Sequence, residues 1–138
     1  MSKAGCVFCK IVAGQIPAVK VYEDEEVFAF LDIGPLSEGH TLVIPKRHCE
    51  TPDECAPEVL SSVAARVGKI AGAVKKATKA DGYNLLCNAG RAAGQLVAHV
   101  HFHIIPRRTG DRVFAKWPSG RYAEGEAEQM AAKIIENL

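Results

Sequence analysis

Between residues 99 and 105 the chain reads His99-Val100-His101-Phe102-His103-Ile104-Ile105. Polar and apolar residues alternate at first, which fits an extended strand, because successive strand side chains point to opposite faces. His99, His101 and His103 then share one face, roughly 7 Å from one to the next at ~3.3 Å rise per residue. Val100, Phe102 and Ile104 fill the other face and pack into a core, and the pattern predicts a strand over Val97–Ile105. The chain has five histidines and three of them fall within these few residues. Groups that titrate near neutrality are thereby gathered on one wall, which we read as an active site.

The length of 138 residues predicts one domain, 1–138, with a core over about 6–107 and a C-terminal extension over 108–138. A net charge of +1 gives no electrostatic footprint of a nucleic-acid binder. No run of 18 apolar residues predicts a membrane span, so no membrane partner is expected. The start, Met1-Ser2-Lys3-Ala4-Gly5-Cys6, lacks the apolar stretch of a signal peptide. Five cysteines, odd in number and scattered, make a poor disulfide framework and point to a reducing, cytoplasmic setting.

Along the chain, residues 6–13 predict one or two helical turns ended by Gly14. Short strands follow at Val19–Tyr22, Val27–Leu31 and His40–Ile44, the last closed by Pro45. Leu60, Val63, Val67, Ile70 and Val74 recur at three- and four-residue steps and form the apolar stripe of a long helix. A fourth strand is expected at Tyr83–Cys87, the histidine strand is the fifth, and a last helix is expected over Ala123–Asn137. Strands grouped around one long helix, with hairpin-length connections, predict an α+β domain with an antiparallel sheet of about five strands.

Three histidines at alternate strand positions admit two chemistries. Metal binding is limited, because the three rings spread over roughly 13 Å and an ion with bonds of ~2.1 Å reaches at most two of them. Nucleophilic catalysis on phosphorus needs a neutral imidazole, and a free pKa of ~6.5 leaves one largely unprotonated near neutrality. Flanking histidines then bind phosphate oxygens or move the leaving group's proton. The preceding loop, Asn88-Ala89-Gly90-Arg91-Ala92-Ala93-Gly94-Gln95, agrees with the second chemistry. Its glycines let backbone N–H groups approach phosphate oxygens.

Asn88-x-Gly90, Ala93-Gly94-Gln95 and the histidine strand together resemble the signature of the histidine triad family. Phe8-Cys9-Lys10-Ile11, Ile16-Pro17, Tyr22-Glu23-Asp24, Ala29-Phe30-Leu31-Asp32 and Gly39-His40 through His48 resemble its other segments, in order, over roughly residues 6–107. With His rather than Gln at position 103, the hydrolase branch is the more similar one. The resemblance implies a homodimer of α+β subunits with sheets joined across the interface, each binding a purine nucleotide. It implies His101 as the nucleophile at the α-phosphorus, giving a nucleotidyl-histidine that water then hydrolyses. His103, Asn88 and the Gly94-Gln95 backbone would contact the phosphate, and His99 and His40 would complete and support the triad. Asp32 would hold the ribose hydroxyls, with Phe8, Phe30 and Ile33 around the base, although for these three ordinary core packing weighs equally. Leu96 departs from the hydroxyl residue that some members carry after the Gln, and Trp117-Pro118-Ser119-Gly120 is not the Trp-Pro-Pro-Gly ending of one branch.

Cys6-Val7-Phe8-Cys9 has metal-ligand spacing, although a redox dithiol has the same pattern. A closed structural zinc site needs two more ligands, and His48 is the leading third. Resemblance to metal-bearing members of the family gives His99 as the fourth, with Cys49 as a substitute. Cys55 and Cys87 read as small hydrophobes. Two functions from other classes compete with the nucleotide hydrolase: a nucleotide-binding regulatory protein with vestigial catalysis, and a metallohydrolase built on the histidines.

Overall fold

The computed structural model describes residues 3–114 and 117–138. Met1 and Ser2 of the N-terminal start, and residues 115 and 116 of the C-terminal extension, lie outside the described residues. Three α-helices, α1 (Val7–Val12), α2 (Pro57–Thr78) and α3 (Glu126–Glu136), accompany five strands. The strands are β1 (Lys20–Glu23), β2 (Val27–Leu31), β3 (Thr41–Pro45), β4 (Gly82–Leu86) and β5 (Phe102–Arg107). They form one antiparallel sheet in the order β1-β2-β3-β5-β4.

β2 and β3 read as nearly unbroken apolar runs because both of their faces are covered. On one face, Val27, Ala29, Val43 and Ile104 pack against Val63, Ile70, Ala71 and Val74 of α2. On the other, Phe28, Phe30, Leu42 and Ile44 pack against Cys6, Phe8 and Cys9, at and within α1. α2 begins with Pro57 at its first position, where the missing N–H costs nothing, and closes on Lys79 in the left-handed conformation (φ 55°).

The histidine segment departs from the expected strand. β5 begins at Phe102, so His103 alone of the three lies within it. The cause is on the neighbouring strand. Val43 pairs with Phe102, so two residues further on Pro45 arrives opposite Val100 and has no N–H to give. Val100 instead donates to the Cys49 carbonyl (2.8 Å), while the Pro45 carbonyl is taken by the His99 ring (2.8 Å). His99 and His101 therefore sit on a bend ahead of the strand.

A second correction concerns the cysteines. Cys49 and Cys55 form a disulfide, with Cα atoms 5.3 Å apart, while Cys6, Cys9 and Cys87 are free. Cys49 is thus not a spare ligand, and Cys55 is more than a small hydrophobe. Spacing gave no sign of the pair, which the turn at Thr51–Glu54 brings together. The last helix is present, but none of its residues is buried. Among the described residues, no helix is long and apolar enough to cross a membrane.

Candidate functional site

The bend ahead of β5 separates two clusters of histidines. The first lies under α1. Cys6 caps that helix, its Sγ accepting from Cys9 N–H (3.4 Å), and the Cys9 Sγ accepts from Lys3 N–H (3.3 Å). His48 follows β3, and His99 reaches in from the bend and is fully buried. The four side chains converge. His99 Nδ1 lies 3.5 Å from Cys6 Sγ, 3.6 Å from Cys9 Sγ and 3.3 Å from His48 Nδ1, which is 3.5 Å from Cys9 Sγ. A tetrahedral ion with Zn–N of about 2.05 Å and Zn–S of about 2.3 Å would space its ligands about 3.3 Å (N to N) and about 3.6 Å (N to S) apart. The observed separations have those values.

Hydrogen bonding fixes which nitrogen of His99 faces the cage. The Pro45 carbonyl can only accept, so Nε2 carries the hydrogen and Nδ1 presents a lone pair. Burial holds His99 down to a pKa of about 4 and also lowers His48, so both rings are neutral, as metal ligation requires. Burial raises the Cys9 thiol, against the smaller downward pull of the Lys3 N–H bond, and a bound cation would lower it.

The second cluster faces a cavity of about 380 Å³ between α1 and the sheet. Phe8, Phe30, Asp32, Ile33, Gly94, His101 and His103 line it. Phe8 and Phe30 belong to the core as well, meeting edge to face at 5.4 Å. Ile33 is fully exposed, so core packing does not account for it. His101 lies edge-on to Phe8 (5.1 Å between centroids) and 5.0 Å from the His103 ring.

The ring nitrogens here are also set by their partners. His101 Nδ1 donates to the His99 carbonyl (2.7 Å), leaving Nε2 as a lone pair. His40 Nδ1 accepts from Leu36 N–H (3.1 Å), so the hydrogen of His40 is on Nε2 and is donated to His103 Nδ1 (2.9 Å). His103 in turn carries its hydrogen on Nε2, a buried atom without a partner. Burial lowers the pKa of all three, His103 to about 4, against the smaller upward pull of Asp32. Asp32 Oδ2 stands 3.6 Å from His40 Nε2, and its Oδ1 accepts from Gly34 N–H (2.8 Å). Asp32, His40 and His103 are close enough to hold an ion together. The lone pair of His103 Nδ1 is already taken by His40 Nε2–H, however, which leaves that nitrogen nothing to offer an ion.

Several expected site residues sit elsewhere. His99 faces the cysteines and does not line the cavity. Asn88 does not line it either; its amide stands beside Gly94, where a Cβ would come within 3.5 Å of Nδ2. That distance is ordinary contact, and it is the φ of +91° at Gly94 that calls for glycine. The Gln95 side chain is buried, taking Gly90 N–H (2.8 Å) and donating to the carbonyls of Glu50 (2.7 Å) and Val97 (3.0 Å). It braces the glycine loop rather than opening into the cavity. Sequence reasoning missed Val7, Ile11, Ile16, Pro17, Leu42 and Val97 as cavity walls. Leu96, noted only as a departure, is an exposed wall at the mouth.

Comparison with known proteins bears on these two clusters. The HIT domain pattern matches residues 13–110. The chain is 43% identical over 136 residues to the adenylylsulfatase HINT3 of Arabidopsis thaliana, covering 96% of this chain and 69% of the relative. It is 42% identical to the adenosine 5'-monophosphoramidase hnt1 of Schizosaccharomyces pombe, covering 96% and 98%. Among solved structures it is similar to a Zn-bound histidine triad family protein from Mycobacterium smegmatis, with a TM-score of 0.74, 39% identity, and coverage of 96% and 97%.

Proposed function

The chain belongs to the HIT domain family, and from that premise we propose that it is a nucleotidyl hydrolase acting through His101. Its substrates are purine nucleoside 5'-phosphoramidates, acyl-adenylates or dinucleoside polyphosphates, cleaved at the α-phosphorus to release AMP or GMP. The observation that carries the reading is the direction of the His101 ring, whose Nδ1–H is held by a carbonyl while the Nε2 lone pair remains free.

In the first step Nε2 of His101 attacks phosphorus, forming an N–P bond as the bond to the leaving group breaks with its electron pair. The ring becomes cationic, and the His99 carbonyl dipole on Nδ1–H stabilises that charge. His103 is held as a neutral donor by His40, and its unpartnered Nε2–H fits a phosphate oxygen that gains charge in the transition state. Water then cleaves the N–P bond and regenerates neutral His101. Backbone at Gly94 and Gln95, with Asn88 beside it, borders the phosphate. Asp32 accepts from the ribose hydroxyls, and Phe8, Phe30 and Ile33 flank the base.

Cys6, Cys9, His48 and His99 would hold zinc. Four protein ligands leave no open position, so the ion supplies structure, tying α1 to the bend that presents His101. A cytoplasmic setting suits the free Cys6, Cys9 and Cys87, while the Cys49–Cys55 disulfide departs from it. A homodimer is part of the same proposal: β4 lies at the edge of the sheet with Tyr83 and Leu85 exposed. The test is AMP release from adenosine 5'-phosphoramidate and from diadenosine polyphosphate, with His101→Ala as control. Release that survives His101→Ala removes the mechanism. AMP binding without release from either substrate moves the reading to a regulatory binding protein.

A further inference from the structure

The Cys49–Cys55 disulfide lies where the two clusters meet. Cys49 directly follows His48, and its carbonyl accepts Val100 N–H (2.8 Å), between His99 and His101. The next carbonyl, of Glu50, accepts from Gln95 Nε2 (2.7 Å), and Gln95 Oε1 accepts from Gly90 N–H (2.8 Å). The loop 49–55 therefore grips both the bend and the glycine loop. Within the loop, the turn is held by Glu54 N–H and Cys55 N–H on the Thr51 carbonyl (3.1 and 3.2 Å), and the disulfide joins its two ends. Cys55 is buried with Val59 and Val100, whereas Cys49 is half-buried and Asp53 and Glu54 are exposed.

We infer that Cys49 and Cys55 form a reversible redox site whose oxidised state orders the glycine loop and the histidine bend, and whose reduction loosens both. The co-reactant is a soluble dithiol. One of its thiolates attacks the sulfur of Cys49, the less buried residue of the pair, forming a mixed disulfide and expelling Cys55 as a thiolate. The second thiol of the reductant then displaces Cys49. Two electrons and two protons pass to the protein, which holds two thiols, and the reductant leaves as its own disulfide. An oxidised dithiol, or glutathione disulfide, drives the reverse.

Cys87 lies in the same apolar cluster, but burial raises its thiol, so its thiolate is scarce and it stands outside the exchange. Loosening reaches Val100 through the Cys49 carbonyl and Gly90 through Glu50 and Gln95. The inference stands apart from the nucleotide reading, because both reporters are backbone amides of the free protein.

The test compares the zinc-loaded protein oxidised by glutathione disulfide with the same protein reduced by tris(2-carboxyethyl)phosphine. Thiol states are counted by alkylation and mass spectrometry. Amide hydrogen exchange at Val100 and Gly90 should quicken about threefold to tenfold on reduction, the worth of one hydrogen bond, and should recover on reoxidation. AMP should bind more weakly by a similar factor. Cys49→Ser/Cys55→Ser should match the reduced form under either treatment, and Cys87→Ser should switch like the wild type.

Equal exchange at Val100 and Gly90 in two forms of confirmed thiol count overturns the inference. So does a wild type that forms no disulfide under oxidant, or a Cys87→Ser variant that no longer responds. The wild-type comparison stands even if a variant fails to fold. Absence of AMP binding in both forms counts against the nucleotide reading alone.

Discussion

His99 and His101 are two residues apart on one bend, yet they commit opposite ring nitrogens to backbone carbonyls. His99 gives Nε2–H to Pro45 and turns a lone pair on Nδ1 toward two cysteines and a second histidine. His101 gives Nδ1–H to His99 and turns a lone pair on Nε2 toward the cavity. In the proposed reading one residue type thus serves as ligand in one region and as nucleophile in the other. Two carbonyls decide between the roles, and the carbonyl that sets His101 belongs to His99.

The largest effect expected is on chemistry. His101→Ala should lower kcat for AMP release by on the order of 10⁴-fold, because His103, the other histidine lining the cavity, carries hydrogen on its Nε2 and offers no lone pair there. AMP affinity and metal content should stay near wild type. Loss of bound metal in this variant would show that the two regions are not separate.

Chelation sharpens the comparison from the other side. Removing the ion should lower Tm by on the order of 10 °C, since four ligands from three segments lose their common partner. Cys9→Ser should do the same without a chelator. If activity falls with metal loss while Tm holds, the ion belongs to the chemistry and the division fails.

His40→Ala comes next. Without His40 Nε2–H on its Nδ1, the His103 ring loses the partner that points its own Nε2–H into the cavity. We expect a fall of about 10- to 100-fold in kcat with KM little changed, the signature of a lost transition-state donor rather than lost binding. A rise in KM alone would place His103 in ground-state binding.

The smallest effect is on pH dependence. Burial holds folded His103 at about 4, below the ordinary value of about 6.5. Between these values the unfolded chain binds a proton that the fold does not, so stability falls as pH drops from 6.5 toward 4. Urea unfolding across this window should show a shallower decline in His103→Gln than in the wild type. Parallel declines would mean that His103 is not held neutral.

Much of this arrangement was legible in the residues. The bounds of β2 are as expected, and β1, β3 and β4 shift by one residue, because apolar runs between turn signals fix strands well. The alternation at residues 99–105 put the three histidines on one face, without showing which element would cover it. It could not show that Pro45 would stop the ladder and turn a strand into a bend, since that depends on the register between two distant segments. The cysteine at position 49 read as a spare ligand because sequence gives no sign of its pairing with Cys55 across a turn. Gln95 read as a loop end, and its contact with Glu50 became visible only in three dimensions. Cavity walls such as Val7 and Leu42 look like any other core residue until the space beside them is seen.

The tautomers of His99 and His101 are the most direct test of the account. Long-range proton–nitrogen correlation spectra of uniformly labelled, zinc-loaded protein read them without any substrate. His101 should show hydrogen on Nδ1 and a bare Nε2, and His99 hydrogen on Nε2 with Nδ1 shifted by the metal. Hydrogen on Nε2 of His101 in the free protein would leave no lone pair facing the cavity and would contradict the assignment of His101 as nucleophile.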